Sequence, residues 1–460
     1  MQSPSVLFSS ASRQIAGQTL KLVPMRNRAV VSWAVWDFGS AAFNAVLITF
    51  IFSVYLVESV GTQIHSAFTP AQWLSFALAL GGIAVALITP MMGQRSDLHG
   101  RRKRAVGVWT WITVALMAAL FLVSNTGPQY FWLGLFLLSL ASVTFECAEV
   151  NYFAQLSQIS TPKTVGRVSG FGWAMGYVGG IVLLLLCYVF FISGDGGVLG
   201  IPTENGLNIR VVAVVAAAWF GLSSIPLLLF VPESTPASTH PGSIADSYRR
   251  LWSELKQLWH LDRNAVRFLI ASAIFRDGLA GVFTYGAILG VSVYGLKPAD
   301  VLIFGIAANI TAAVGALLGG LVDDRFGPKS VIMASLLALI ACAGLLFAVD
   351  GPVAFWILGL LLCVFVGPAQ SSSRSLLARI APAERSGQMF GFYTTTGRAV
   401  SWLAPLAFSA MVSLGGGSDR YGVIGIGIIL AAGAVVLAFV ADPTRAQSAS
   451  QVDHTIRVQK

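Results

Sequence analysis

Six charged side chains lie where the surrounding sequence is almost wholly apolar: Asp37, Glu146, Glu149, Arg276, Asp277 and Arg398. A charge at the centre of a lipid bilayer costs about 2.5–3.5 kcal/mol on insertion scales, so each is a functional candidate. Asp37 shares a helical face with Ala41 and Asn44. Burial and a nearby cation act in opposite directions on a carboxylate's protonation, and a proton-coupled site uses that competition. The alternative for Asp37 is a structural hydrogen bond or an ion pair, for instance to Arg398. Glu146 and Glu149 are three apart and can share a face, with Asn151 near the helix end. Either they carry a proton or meet a cationic substrate group, or Glu149 forms a gate with Arg167 or Arg374. Arg276 and Asp277 are neighbours, so on a helix they point about 100° apart and cannot face each other. Arg276 suits a carboxylate held bidentately; equally, it would neutralise Asp37 or Glu146. Asp277 shares its face with Gly281 and Thr284. Gln370 opens a polar run, Ser371, Ser372, Ser373 and Arg374, in which hydroxyls bonding their own helix is the simpler reading.

The elements that position these residues follow from composition. Of 460 residues, 56% are apolar and 11% charged, against about 25% charged in soluble domains. A membrane-spanning helix needs about 20 apolar residues. We read about twelve, over 30–57, 71–93, 105–124, 129–154, 168–193, 211–231, 266–294, 301–321, 330–349, 353–376, 387–413 and 421–441. The 12 Trp and 29 Phe suit interfacial rings. The fold expected is an all-α integral membrane protein of two six-helix halves, 29–232 and 265–442. A linker, 233–264, carries Leu251, Trp252, Leu255, Leu258 and Trp259 at helical spacing, as in a helix lying on the membrane surface. Residues 1–28 and 443–460 read as tails, and Met25 offers a second start. Most Lys and Arg fall on the side of both tails, which places both termini in the cytoplasm; the membrane expected is the plasma (inner) membrane. The net charge of +9 is thereby explained without nucleic acid. Cys147, Cys187, Cys342 and Cys363 lie in apolar stretches without metal-ligand spacing. There is no phosphate loop, no H-E-x-x-H and no catalytic triad. We therefore expect no enzyme, cofactor or metal, but a monomer in a lipid bilayer that handles a small-molecule substrate and protons.

The halves repeat. Gly93, Asp97, Gly100 and Arg102 follow the second span with the same spacing as Gly320, Asp324, Gly327 and Lys329 after the eighth. Gly127-Pro128 with Phe131-Trp132 returns as Gly351-Pro352 with Phe355-Trp356, Gly170-Phe171 as Gly391-Phe392, and Asp37 with Phe43 as Asp277 with Phe283. Two such halves resemble the major facilitator superfamily, and the glycine–aspartate–basic pattern resembles its loop signature. That resemblance implies a substrate path between the halves near the bilayer midplane, lined by spans one, four, seven and ten. It also implies a cytoplasmic latch that includes Asp97 and Arg101. In the second copy Pro328 replaces Arg101, so a weaker latch is expected there. Trp33-x-x-Trp36-Asp37 with Ala42-Phe43, Gly166 to Tyr177, Arg276-Asp277-Gly278, and Gly367-Pro368-Ala369-Gln370 with Ser373-Arg374 together resemble the fungal autophagy-related vacuolar amino-acid effluxers and their bacterial relatives. This resemblance covers the whole membrane region and implies a proton-linked carrier, amino acids leading. The family's first-span motif has Tyr before the aspartate and Asn-Ser after it; here Trp36 and Gly39-Ser40 stand there. A drug or siderophore exporter is the alternative within the fold, and a non-transporting sensor or assembly factor the alternative outside it. Gly172, Gly176 and Gly180 read as a close-packing stripe.

Overall fold

In hydrocarbon every backbone N–H and C=O must pair inside the protein, so long apolar runs close into helices. The computed structural model describes residues 28–236 and 262–442. The surface helix expected over 244–260 and the two tails lie outside those residues, but for Arg28. The long helices are α1 (Arg28–Gln63), α2 (Pro70–His99), α3 (Arg102–Leu122), α4 (Gln129–Ile159), α5 (Val165–Ile192), α6 (Glu204–Phe230), α7 (Arg263–Ser292), α8 (Pro298–Phe326), α9 (Pro328–Ala348), α10 (Pro352–Ile380), α11 (Ala383–Leu414) and α12 (Asp419–Ala438). Among the described residues, 11 of these segments are long and apolar enough to cross a membrane. The 30-residue α7, which carries Arg276 and Asp277, completes the twelve.

The packing is duplicated. Helix α1 packs on α5 and α6 as α7 packs on α11 and α12; α4 packs on α2 and α3 as α10 packs on α8 and α9. Between the halves, α5 lies along α8 and α2 along α11. Leu80, Leu222 and Ile357 project strongly exposed apolar side chains outward, as a lipid-facing surface requires.

Two helices are irregular beside the membrane charges. Helix α1 loosens into π-helix over Ala42–Phe50, just past Asp37. Helix α11 is interrupted between Ser386–Val400 and Leu403–Leu414. The glycine–aspartate motif is also more regular than expected. It is not a loop: α2 runs through Gly93 and Asp97 to His99 and ends where Gly100 turns left-handed at φ 62°. Helix α8 likewise runs through Gly320 and Asp324 to Phe326, and Gly327 turns at φ 87°. Glycine adopts these angles without the Cβ penalty other residues meet.

Candidate functional site

At the end of the bundle where α2 meets α3, each half holds the other by a carboxylate set against a helix N-terminus. Asp97 accepts hydrogen bonds from the backbone N–H groups of Gly387 (3.1 Å) and Gln388 (2.9 Å), at the start of α11. Asp324 accepts from the N–H groups of Gly166 (2.8 Å) and Arg167 (3.2 Å), at the start of α5. A helix N-terminus offers N–H groups with no partner inside the helix and a partial positive charge, so a carboxylate suits it. Backbones meet closely here: a Cβ on Gly93 would overlap the Gly387 carbonyl, and one on Gly320 the Gly166 carbonyl. That accounts for the glycine of each motif.

The basic members differ from expectation. Arg102, not Arg101, meets Asp97: its Nε donates to Oδ1 at 2.6 Å, and its Nη2 donates across the interface to the Ala383 carbonyl at 2.7 Å. Gly100 ends α2, Arg101 occupies the exposed position before α3, and Arg102 starts the helix and turns inward. Nor is the second latch sparse. Asp324 also receives Arg167 Nε at 2.8 Å and Arg379 Nη2 at 3.3 Å, and Arg379 lies 2.8 Å from Asp323. Lys329 takes no part; its ammonium donates to the Ala438 (2.8 Å) and Val440 (2.5 Å) carbonyls at the end of α12. Both latches are closed, so the halves are sealed at this end.

Deeper in the bundle the membrane charges gather. Asp37 lies roughly 14 Å along α1 from its start, and Glu149 roughly 15 Å from the end of α4. Glu149 has Glu146, Asp37, Arg276 and Arg398 within electrostatic reach. At this depth, among the described residues, two ion pairs cross between the halves. Glu146 on α4 pairs with Arg398 on α11. Asp37 on α1 pairs with Arg374 on α10 at 3.4 Å. The Asp37 partner considered from sequence, Arg398, is therefore wrong, because Arg398 faces α4. The gate imagined between Glu149 and Arg167 or Arg374 does not form either: Arg167 belongs to Asp324 and Arg374 to Asp37.

Three of the membrane charges remain outside these pairs. Glu149, partly buried, makes no hydrogen bond or ion pair among the described residues. Arg276 on α7 meets no carboxylate within ion-pair distance among them. It stacks on the Tyr393 ring at 3.8 Å and donates through Nη1 to the Tyr393 carbonyl at 3.2 Å, so it pairs with neither Asp37 nor Glu146. Gln370 is partly exposed one turn before Arg374, its amide making no hydrogen bond among the described residues, and Asn44 is exposed on α1. Asp277 has a different task. Its Oδ2 accepts the Ala404 N–H at 2.6 Å, capping the second part of interrupted α11. The adjacent pair thus splits: Arg276 meets Tyr393 on α11, and Asp277 caps Leu403–Leu414.

Sequence reasoning did not single out the surroundings of Arg374. Arg374 as a residue is 1% exposed. Nε donates to the Ser169 hydroxyl at 3.0 Å and Nη2 to the Ser169 carbonyl at 2.7 Å. The glycine stripe of α5 makes the space: a Cβ on Gly172 would press on Trp33 and Arg374, while Gly176 faces Asp37. The run Gly367 to Arg374 and that stripe were both visible; that they meet was not.

Comparison with known proteins fixes the family. The family model described as "Vacuole effluxer Atg22 like" matches residues 153–450. The chain belongs to the Atg22-like family. A relative in Bacillus subtilis, an uncharacterized MFS-type transporter, YxiO, is 25% identical over 421 residues, 91% of this chain and 96% of its own. Autophagy-related protein 22 of Cryptococcus neoformans is 25% identical over 317 residues, 64% of this chain and 52% of its own; the match spans about half of that fungal Atg22 protein. Among solved structures, the proton:xylose symporter XylE matches with TM-score 0.69 at 16% identity, over 90% of this chain and 96% of that one. FucP, solved in its outward conformation, matches with TM-score 0.69 at 15% identity, over 90% and 98%. These likenesses are of fold, and the fold is that of the major facilitator superfamily. This Atg22-like chain is a multi-pass membrane transporter of that type and not an enzyme.

Proposed function

We propose that this transporter is a proton-coupled carrier of amino acids in the plasma (inner) membrane, with its latches and termini on the cytoplasmic side. The observation that carries the reading is the unmatched pair, Glu149 in one half and Arg276 in the other. An α-amino acid presents an ammonium and a carboxylate a few bonds apart. Arg276 offers its planar fork to the carboxylate, Glu149 accepts the ammonium, and the Gln370 amide serves either group. Binding then supplies each membrane charge with a partner and draws the halves together. The Lys and Arg bias of the sequence supports the orientation.

Coupling follows from competition. A proton and an ammonium group cannot both neutralise Glu149, so each excludes the other and the cycle exchanges them. While the latched end is closed and Asp37 and Glu146 are held in ion pairs with Arg374 and Arg398, Glu149 is the carboxylate that exchanges substrate for a proton.

Purified protein in liposomes tests this. An imposed pH gradient drives uptake of radiolabelled amino acids against their gradient. Glu149→Gln abolishes that accumulation while leaving substrate-for-substrate exchange. Arg276→Ala raises the apparent Km by about tenfold or more, as loss of a charge-assisted carboxylate contact implies. Accumulation by Glu149→Gln at the parent's level refutes the coupling role. Flux of drugs or siderophores without amino acids replaces the substrate class, and no flux of any solute favours a sensor.

A further inference from the structure

Arg374 belongs to the second half, yet its charged head is bound entirely by the first. Besides Asp37 and Ser169, the rings of Trp33 (4.9 Å), Phe153 (4.9 Å), Trp173 (5.5 Å) and Tyr152 (5.9 Å) surround its guanidinium carbon. The box is preassembled: Trp33 stacks on Tyr152 at 4.4 Å and its indole N–H donates to the Tyr152 carbonyl at 3.0 Å. A cation held by ring faces away from water is attracted by about 2 kcal/mol or more.

We propose that Arg374 is a plug between the halves, inserted while the latched end is closed and withdrawn for that end to open, with Asp37 its release. Opening by rocking the halves apart moves α10 away from α1, α4 and α5. A side chain bound on all three cannot follow both halves. Its three hydrogen-bonded contacts and four ring contacts are then lost together, so the plug makes the closed state discrete rather than graded. The inference rests on alternating access alone and holds for any substrate class.

Asp37 is the accessible member of the lock: its side chain is 13% exposed, that of Arg374 2%. A proton or cation therefore reaches the acid and not the base. The charged and titratable groups facing Asp37 are Arg374 from α10, Glu149 and Tyr152 from α4, and Tyr177 from α5. Arg374 is the cation in ion-pair contact with it, so neutralising Asp37 removes the one ionic tie that holds the plug.

The test reads closure without transport. Ser157 and Ser386 belong to opposite halves beside the latch, with hydroxyl oxygens 3.4 Å apart. Ser157→Cys with Ser386→Cys, in full-length protein in lipid nanodiscs with Cys147, Cys187, Cys342 and Cys363 replaced by alanine, crosslinks while that end is closed. Arg374→Ala slows crosslinking by about tenfold. Gly172→Ala, which crowds the plug and removes no charge, slows it in the same direction and covers the case in which Arg374→Ala fails to fold. Asp37→Asn, the stand-in for a neutral Asp37 at unchanged pH, also slows it. Parent-rate crosslinking in folded Arg374→Ala or in Gly172→Ala overturns the plug and makes Arg374 a fixed fulcrum. A slow Gly172→Ala with a parent-like Asp37→Asn overturns the release through Asp37.

Discussion

Asp97→Asn keeps the shape of the latch residue and removes its charge. The carboxylate receives three donors: the Gly387 and Gln388 N–H groups across the interface, and Arg102 from its own half. Only the first two separate when the halves part, so only they bias the closed state. A hydrogen bond to a charged group contributes about 1.5–3 kcal/mol and a neutral one about 1 kcal/mol. The asparagine oxygen keeps one neutral bond and turns its NH2 against the other N–H, so the closed state loses about 2–5 kcal/mol. At about 1.4 kcal/mol per decade, the closed-to-open ratio falls roughly 30- to 4,000-fold. Spin labels at Lys163 and Glu384, exposed residues on opposite halves at this end, read the separation by double electron–electron resonance. The parent gives one short distance, and Asp97→Asn adds a longer one. Asp324→Asn acts through the separate α5–α8 contact, so the two shifts add. The reasoning is refuted if the double variant keeps the parent's single distance, because no bias of ordinary size survives both losses.

The structure carries further consequences. Asp277→Asn exchanges the charge-assisted hydrogen bond that caps Leu403–Leu414 for a neutral one and costs about 1 kcal/mol; a melting curve in detergent shows a lower midpoint, while liposome flux per folded molecule changes little. Had Asp277 carried the coupling proton, that flux would vanish with the midpoint unchanged. Gly93→Ala and Gly320→Ala each force apart backbones that now touch, so each shifts the spin-label distances toward the longer population; an unchanged distribution shows that the glycines only turn the chain.

Much of this was legible in the sequence, for a reason that also explains what was not. Gly93, Asp97 and Gly100 recur as Gly320, Asp324 and Gly327 because both copies solve one local problem: ending a helix beside another backbone with a carboxylate in reach. Local problems leave local spacing. Partner choice among membrane charges is a tertiary matter. Nothing within a few residues of Asp37 says that its cation is Arg374 and not Arg398; that depends on which face of α10 meets α5. The cap made by Asp277 was hidden because the interruption of α11 at Ser401 and Trp402 has no glycine there, and Pro405 lies beyond it. The family resemblance implied Arg101 for the latch, although the repeat spacing pairs Arg102 with Lys329; the left-handed turn at Gly100 leaves Arg101 exposed and turns Arg102 inward.

The repeat also sharpens what differs between the halves. Asp37 and Asp277 are counterparts in the duplication, yet one holds a cation of the opposite half and the other caps a helix of its own. The latches kept their geometry through duplication, because two symmetric closures hold one end better than one does. The midplane charges diverged, because a symmetric set of carboxylates around a single path would repel itself, with nothing to favour one orientation of an asymmetric solute. The second half instead supplies cations, Arg276, Arg374 and Arg398, against the first half's acids, Asp37, Glu146 and Glu149. Attraction across the path then favours the halves coming together, and each event that neutralises one member weakens that attraction. A scaffold of duplicated latches with complementary, non-duplicated charges thus lets any event that neutralises a charge at the middle bear on whether the end opens.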